Sequence, residues 1–179
     1  MVWQLLWDTV QSYLTRPVKK ERARRMLKPH PFFEQYAEYA IQSMLETGIP
    51  ASITLAQAAL ESDWGKSAPG HNFFGIKAGR SWKGPTQVLG TWEVVHGKKV
   101  RVKAKFRKYD SPLDSFVDHA KIIVNGPLRH AMGHVQSARD FVTALQSGKK
   151  KYATDPAYVS KIMRIVDEYG LEELDEVND

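Results

Sequence analysis

Apolar residues recur along this chain with two different periods, and the switches between them mark its parts. Residues 32–46 put Phe33, Tyr36, Ala37, Ala40, Ile41 and Met44 on one side of a helix. Gly48 suits the C′ position, and Pro50 opens a second helix rich in Ala and Leu. That helix carries Leu55-Ala56-Gln57-Ala58-Ala59-Leu60-Glu61 and ends at Trp64-Gly65. From Pro69 to Gly84 no period holds, which reads as loop. Residues 87–107 then change to period two: Val100, Val102, Ala104 and Phe106 alternate with Lys99, Arg101, Lys103, Lys105 and Arg107. This is a strand with one apolar and one basic face. Gln87 to Val95 can pair back on it across a His96-Gly97 turn.

The helical period returns after Ser111. Ser111 suits an N-cap, Pro112 the first helical position, and Asp114 can close a capping box. Phe116, Val117, Ala120 and Ile123 or Val124 follow the helical repeat. Ser137 and Asp140 form a second box before Phe141 and Leu145. Asp155-Pro156 starts the last long helix, with Val159, Ile162, Met163, Val166 and Tyr169 inward and Gly170 beyond it. At the other end, Trp3, Leu6, Trp7, Val10 and Leu14 form an amphipathic stripe that Thr15-Arg16-Pro17 breaks. The expected fold class is α+β, mainly α: a helical body with one inserted β-hairpin.

Length and composition narrow the picture. The 179 residues suffice for one domain with a real core, and 42% hydrophobic content with 11% aromatic residues reads as globular. The absence of Cys excludes disulfides, Cys-ligated zinc and a thiol nucleophile. No apolar run approaches the roughly 18 residues that span a membrane. The start, Met1 to Asp8, does not read as a secretory signal, since it has no basic leader and Gln4 and Asp8 interrupt it. The net charge of +6 is uneven, with Arg16, Lys19, Lys20, Arg22, Arg24, Arg25 and Lys28 crowded near one end. Residues 167–179 carry only acids among their charges and read as a solvated tail. A basic surface favours polyanions such as wall polymer, anionic lipid or nucleic acid.

Glu61 is the residue with the clearest chemistry. A carboxylate in the last turn of a buried helix faces the negative end of the macrodipole, and the indole of Trp64 offers an apolar wall. Both oppose ionisation and raise the pKa, as a general acid requires. The plain alternative is a helix-terminal Glu pointing at water. His130 and His134 have a zinc-like spacing, but no third ligand accompanies them, so no metal or other cofactor is expected.

Four ordered motifs carry a family resemblance. Ala58-Ala59-Leu60-Glu61-Ser62-Asp63-Trp64-Gly65 and Asn72-Phe73-Phe74-Gly75-Ile76-Lys77 resemble the signature of the glucosaminidase family of peptidoglycan hydrolases, glycoside hydrolase family 73. Val102 to Ser111 looks like the exit of that family's hairpin, and Lys151-Tyr152-Ala153-Thr154-Asp155-Pro156-Ala157-Tyr158 looks like its Tyr-Ala-Thr-Asp-Pro motif. The likeness runs from about Pro31 to Gly170. It implies a lysozyme-like fold and cleavage of the β-1,4 glycan bond after N-acetylglucosamine, with Glu61 as the acid. Glu93 occupies the matching hairpin position and would be the second carboxylate. Its flanks depart from the family's usual Thr-Glu pattern, which leaves assistance by the substrate's N-acetyl group as an alternative.

The resemblance places Tyr152 in the cleft, where its hydroxyl could position water or the acetamido group. Asn72, Phe73 and Phe74 resemble a subsite wall, with one Phe expected in the core. Trp82 and Trp92 are further candidates for stacking on sugar. Asp155 reads as a helix cap rather than a catalyst. The chain divides into an N-terminal amphipathic and basic segment (1–28), a catalytic domain (29–170) and an acidic tail (171–179). The expected partner is the peptidoglycan glycan strand, in the bacterial periplasm or wall. Residues 1–28 could dock on a membrane surface or envelope partner, and nucleic acid is not an expected partner. The export route stays open. The competing readings are a lytic transglycosylase or muramidase on the same fold, or a non-catalytic module that binds wall polymer or nucleic acid.

Overall fold

The computed structural model describes residues 28–176. The expected N-terminal helix and basic segment therefore lie outside the described residues, apart from Lys28. The elements run α1 (Pro31–Thr47), α2 (Ala51–Glu61), β1 (Thr86–Val95), β2 (Lys98–Arg107), α3 (Pro112–Asn125), α4 (Ala138–Leu145) and α5 (Tyr158–Tyr169), with short 3₁₀ turns at Pro69–His71, Arg129–His134 and Leu171–Leu174. The result is the mainly helical body with one antiparallel hairpin that the periodicity predicts.

The centre of the body is α2. Every residue from Ala51 to Ala59 is buried, the polar Ser52, Thr54 and Gln57 included, so the helix needs neighbours all round. These are α1, α4, α5 and the Leu171–Leu174 turn. Small Ala side chains let those neighbours approach closely, and Phe33, Phe73, Phe116 and Phe141 fill the space beyond them.

Local chemistry explains most boundaries. Gly48 ends α1 with φ +78°, a left-handed turn that glycine adopts freely. Ser111 and Asp114 form the full capping box at the start of α3. His96 and Gly97, both at positive φ, make the two-residue hairpin turn. Two boundaries differ from expectation. Pro50 is the N-cap of α2 rather than its first residue. The last helix begins at Tyr158, because Asp155 Oδ1 accepts from Ala157 N at 2.9 Å and holds a turn ahead of it.

The acidic C-terminal segment is likewise more than a solvated tail. Leu171 and Leu174 are fully buried. Asp175 accepts from Ser52 N at 2.8 Å and from Ser52 Oγ at 2.5 Å. Pro50 provides no side-chain cap, so Asp175 supplies the carboxylate at the N-terminus of α2 from far along the chain. The packed body thus extends beyond Gly170.

Candidate active site

Glu61 is the last residue of α2, and an unusual turn holds it. Asp63, Trp64 and Gly65 all have positive φ, the first two at 48° and 58°. Such backbone is costly for non-glycine residues and persists where surrounding contacts impose it. Ser62 imposes much of it: its Oγ donates to Ala58 O at 2.6 Å and accepts from Gly65 N at 2.8 Å. Gly65 needs to be glycine, with φ +82° and the Phe32 ring 3.3 Å from where a Cβ would sit. Trp64 packs into a cluster with His30, Phe32, Phe33 and Tyr169. Its indole thus anchors the turn.

The Glu61 side chain reaches solvent, yet the protein around its carboxyl removes enough water to push its pKa above the ordinary value. Two tyrosines feel its charge. Burial first, and the Glu61 charge further down, raise the pKa of both Tyr152 and Tyr158. Their rings lie 5.3 Å apart. Tyr158 is buried, and its hydroxyl accepts from Gln57 Nε2 at 3.0 Å. The Tyr152 hydroxyl lies 2.8 Å from His119 Nε2. His119 is stacked flat on Phe74, with ring centroids 3.8 Å apart. Burial drives its pKa down to about 3, so the imidazole is neutral. Glu61 thus lies within electrostatic reach of Tyr152 and Tyr158, which Gln57 of α2 and the neutral His119 of α3 tie into one hydrogen-bonded floor.

Glu93 stands on a different element, β1. It lies on the half-buried face of the hairpin with Leu89, Thr91, Val100, Val102 and Ala104. Lys77 Nζ donates to its Oε1 at 2.5 Å. Among the described residues no hydrogen bond or ion pair joins Glu93 to Glu61. The hairpin base is pinned more firmly. Arg107 donates to both oxygens of Asp118 on α3, at 2.8 and 2.6 Å, and Tyr109 Oη donates to the same carboxylate at 2.6 Å.

The profile of a family described as mannosyl-glycoprotein endo-beta-N-acetylglucosaminidase matches residues 37–171. The chain belongs to this glucosaminidase family. It is 44% identical over 139 residues to the exo-glucosaminidase LytG of Bacillus subtilis, a match covering 71% of this chain and 46% of that protein. It is 37% identical over 142 residues to the peptidoglycan hydrolase FlgJ of Escherichia coli, covering 75% of this chain and 45% of that one. The chain thus spans about half the length of these curated relatives. Among solved structures, it resembles the catalytic domain of the autolysin Auto from Listeria monocytogenes, with TM-score 0.71, 30% identity and coverage of 90% of this chain and 98% of that one. The Salmonella typhimurium FlgJ glycoside hydrolase domain gives TM-score 0.64 at 36% identity, covering 76% and 94%.

Within this glucosaminidase fold, Asn72 and both Phe rings are built inward, where only one Phe was expected in the core. Asn72 is buried; its Nδ2 donates to Ile76 O and Arg107 O, both at 2.9 Å, and its Oδ1 accepts from Ile76 N at 2.9 Å. Both amide hydrogens are committed, so Asn72 clamps the loop to β2 instead of reading an acetamido group. Phe73 is core, against Tyr36 and Phe116. Phe74 is buried beneath His119 rather than facing a sugar. Trp82 is half-buried, stacked on Arg107 at 4.5 Å, with its Nε1 donating to Pro85 O. It braces the hairpin base. Trp92 is 58% exposed on the outer hairpin face, with Lys99 Nζ over its ring.

Sequence reasoning missed Gln57 and His119, and treated Tyr158 only as part of a motif. His119 had a signal. It lies three residues after Phe116, on the apolar face of α3, where a titratable group needs a partner.

Proposed function

We propose that this chain is a peptidoglycan hydrolase domain that cleaves the β-1,4 bond after N-acetylglucosamine, with Glu61 donating the proton to the leaving oxygen. The observation that carries the reading is the state of Glu61: solvent-accessible at the end of α2, yet with its pKa raised above the ordinary value by burial. A carboxyl with a raised pKa keeps its proton to higher pH than a free one, as a general acid needs. The names of LytG, FlgJ and the autolysins support glycan strands of peptidoglycan as the substrate, and with them a site of action in the wall or periplasm.

Glu93 is the proposed second carboxylate. It would reach the reacting centre by hairpin movement, exchanging Lys77 for water or for the developing cation. Tyr152 is the third group, offering its hydroxyl beside Glu61. Trp92 is the candidate for stacking on sugar, since it is exposed apart from the Lys99 ammonium over its ring. Residues 1–28 are proposed to localise the domain at a membrane surface or envelope partner through their aromatic stripe and basic run.

Borohydride reduction of digested peptidoglycan followed by mass analysis tests the bond choice. New reducing N-acetylglucosamine ends are expected. Reducing muramic acid would indicate a muramidase, and anhydro-muramic ends a lytic transglycosylase. Either result would replace the proposed cleavage.

A further inference from the structure

The Tyr152 hydroxyl has two sides. One faces His119; on the other it interacts with the Tyr158 hydroxyl and feels the charge of Glu61. A phenol hydroxyl can donate only one proton. Which way it points decides what Tyr152 offers the cleft. If Tyr152 donates to His119, only lone pairs remain for the cleft. If His119 donates to Tyr152, the phenol proton is free to point outward.

The surroundings of the imidazole choose between these. His119 is 3% exposed and stacked flat on Phe74. Its Nε2 faces Tyr152 Oη at 2.8 Å, while its Nδ1 is buried without a protein partner. One ring nitrogen of a neutral imidazole carries hydrogen and the other a lone pair. A proton on Nδ1 would leave a buried N–H with nothing to receive it. Orphaned donors of that kind are rarer in folded proteins than under-used acceptors. Protonation on Nε2 leaves only a lone pair unmet and gives the 2.8 Å contact a donor.

We propose that His119 is a positioning residue, protonated on Nε2, which donates to the Tyr152 oxygen and turns the Tyr152 proton out toward the Glu61 side of the cleft. Tyr152 then presents a donor. The group it suits is an acetamido carbonyl oxygen of the sugar rather than a water that needs its own proton taken. Phe74 keeps the imidazole in plane for this, which gives that buried ring a role in the site without sugar contact. Tyr158 is the neighbour on that side: its hydroxyl interacts with that of Tyr152 and accepts from Gln57 Nε2 at 3.0 Å, so a sugar carbonyl takes the Tyr152 proton in competition with the Tyr158 oxygen.

This inference rests on the proposed hydrolase reading for its kinetic consequence but not for its wiring, and the test separates the two. Imidazole ¹⁵N spectra of the unmutated protein should show His119 protonated on Nε2 and bare on Nδ1; the opposite tautomer would overturn the proposal. On peptidoglycan, His119→Leu should lower kcat about tenfold, as loss of one orienting hydrogen bond implies. His119→Gln, whose amide nitrogen can replace the Nε2 donor, should recover most of that. His119→Leu combined with Tyr152→Phe should be no slower than Tyr152→Phe alone. Additive losses would show that His119 serves only packing, and a fully active Tyr152→Phe would remove the orienting role. If the parent protein hydrolyses no peptidoglycan, the functional reading fails, while the spectrum still decides the His119 wiring.

Discussion

The helical floor and the hairpin stand on opposite physical footings. The floor holds Glu61, Tyr152, Tyr158 and His119 among buried aromatic rings, and burial displaces the proton affinity of each. The outer hairpin face is the reverse. Val88, Trp92 and Val94 are 59%, 58% and 73% exposed there, and cross-strand Lys99, Arg101, Lys103 and Lys105 lie beside them. No ion pair engages those four cations among the described residues. Proton chemistry needs a low dielectric and fixed neighbours, which only the floor provides. Contact with a long charged or saccharide polymer needs open area, which the outer hairpin face offers. Glu93 lies on the inner hairpin face, tied to Lys77, and is the group proposed to link them.

If that division holds, the largest effect comes from the floor. Glu61→Gln should lower hydrolysis by at least about 10²-fold and leave the melting temperature close to the parent's, because the amide keeps the shape but has no acidic proton. Near-parental turnover would break the comparison at its root. Glu93→Gln should cost less, about tenfold or more in kcat, with fold intact. Loss of folding instead would recast Glu93 as a strut for the Lys77 loop.

Aromatic truncations sharpen the contrast. Phe74→Ala should destabilise by about 3 kcal/mol or more, the usual cost of emptying a buried Phe site. Trp92→Ala should leave the melting temperature unchanged and weaken binding to insoluble peptidoglycan, with a salt dependence shared by Lys99 and Arg101. A destabilised Trp92→Ala would show that the hairpin face is structural.

The smallest effect concerns Asp175. Burial pushes its pKa up to about 6 against the opposing pull of the Ser52 bonds. A carboxyl with a raised folded pKa stabilises the fold below its unfolded pKa, and that contribution is lost as pH rises through about 6. Thermal melts between pH 4 and 7 should therefore show a decline in the parent that Asp175→Asn flattens. An unchanged slope would place the titration elsewhere.

Much of this was legible in the sequence because it is local. The alternation from Val100 to Phe106, the His96-Gly97 turn and the Ser111-Asp114 box each carry their structure within a few residues. Glu61 and Tyr152 were legible through motifs. The departures share a physical cause. Asn72 and Phe74 sit in a segment without periodicity, so nothing in the chain says which way they face until Arg107 and His119 arrive from distant elements. Asp175 looked like part of a solvated run because its partner, Ser52, is over a hundred residues away. His119 fitted an apolar stripe, and its partner Tyr152 lies on another loop.

The central claim is that burial at the end of α2 makes Glu61 the proton donor. A ¹³C titration of the Glu61 carboxyl in the intact protein tests it directly. The midpoint should lie above the ordinary value of 4.5, and kcat/KM on peptidoglycan should fall on the alkaline side as pH rises through that midpoint. A midpoint at or below 4.5, or a rate profile indifferent to it, would contradict the account.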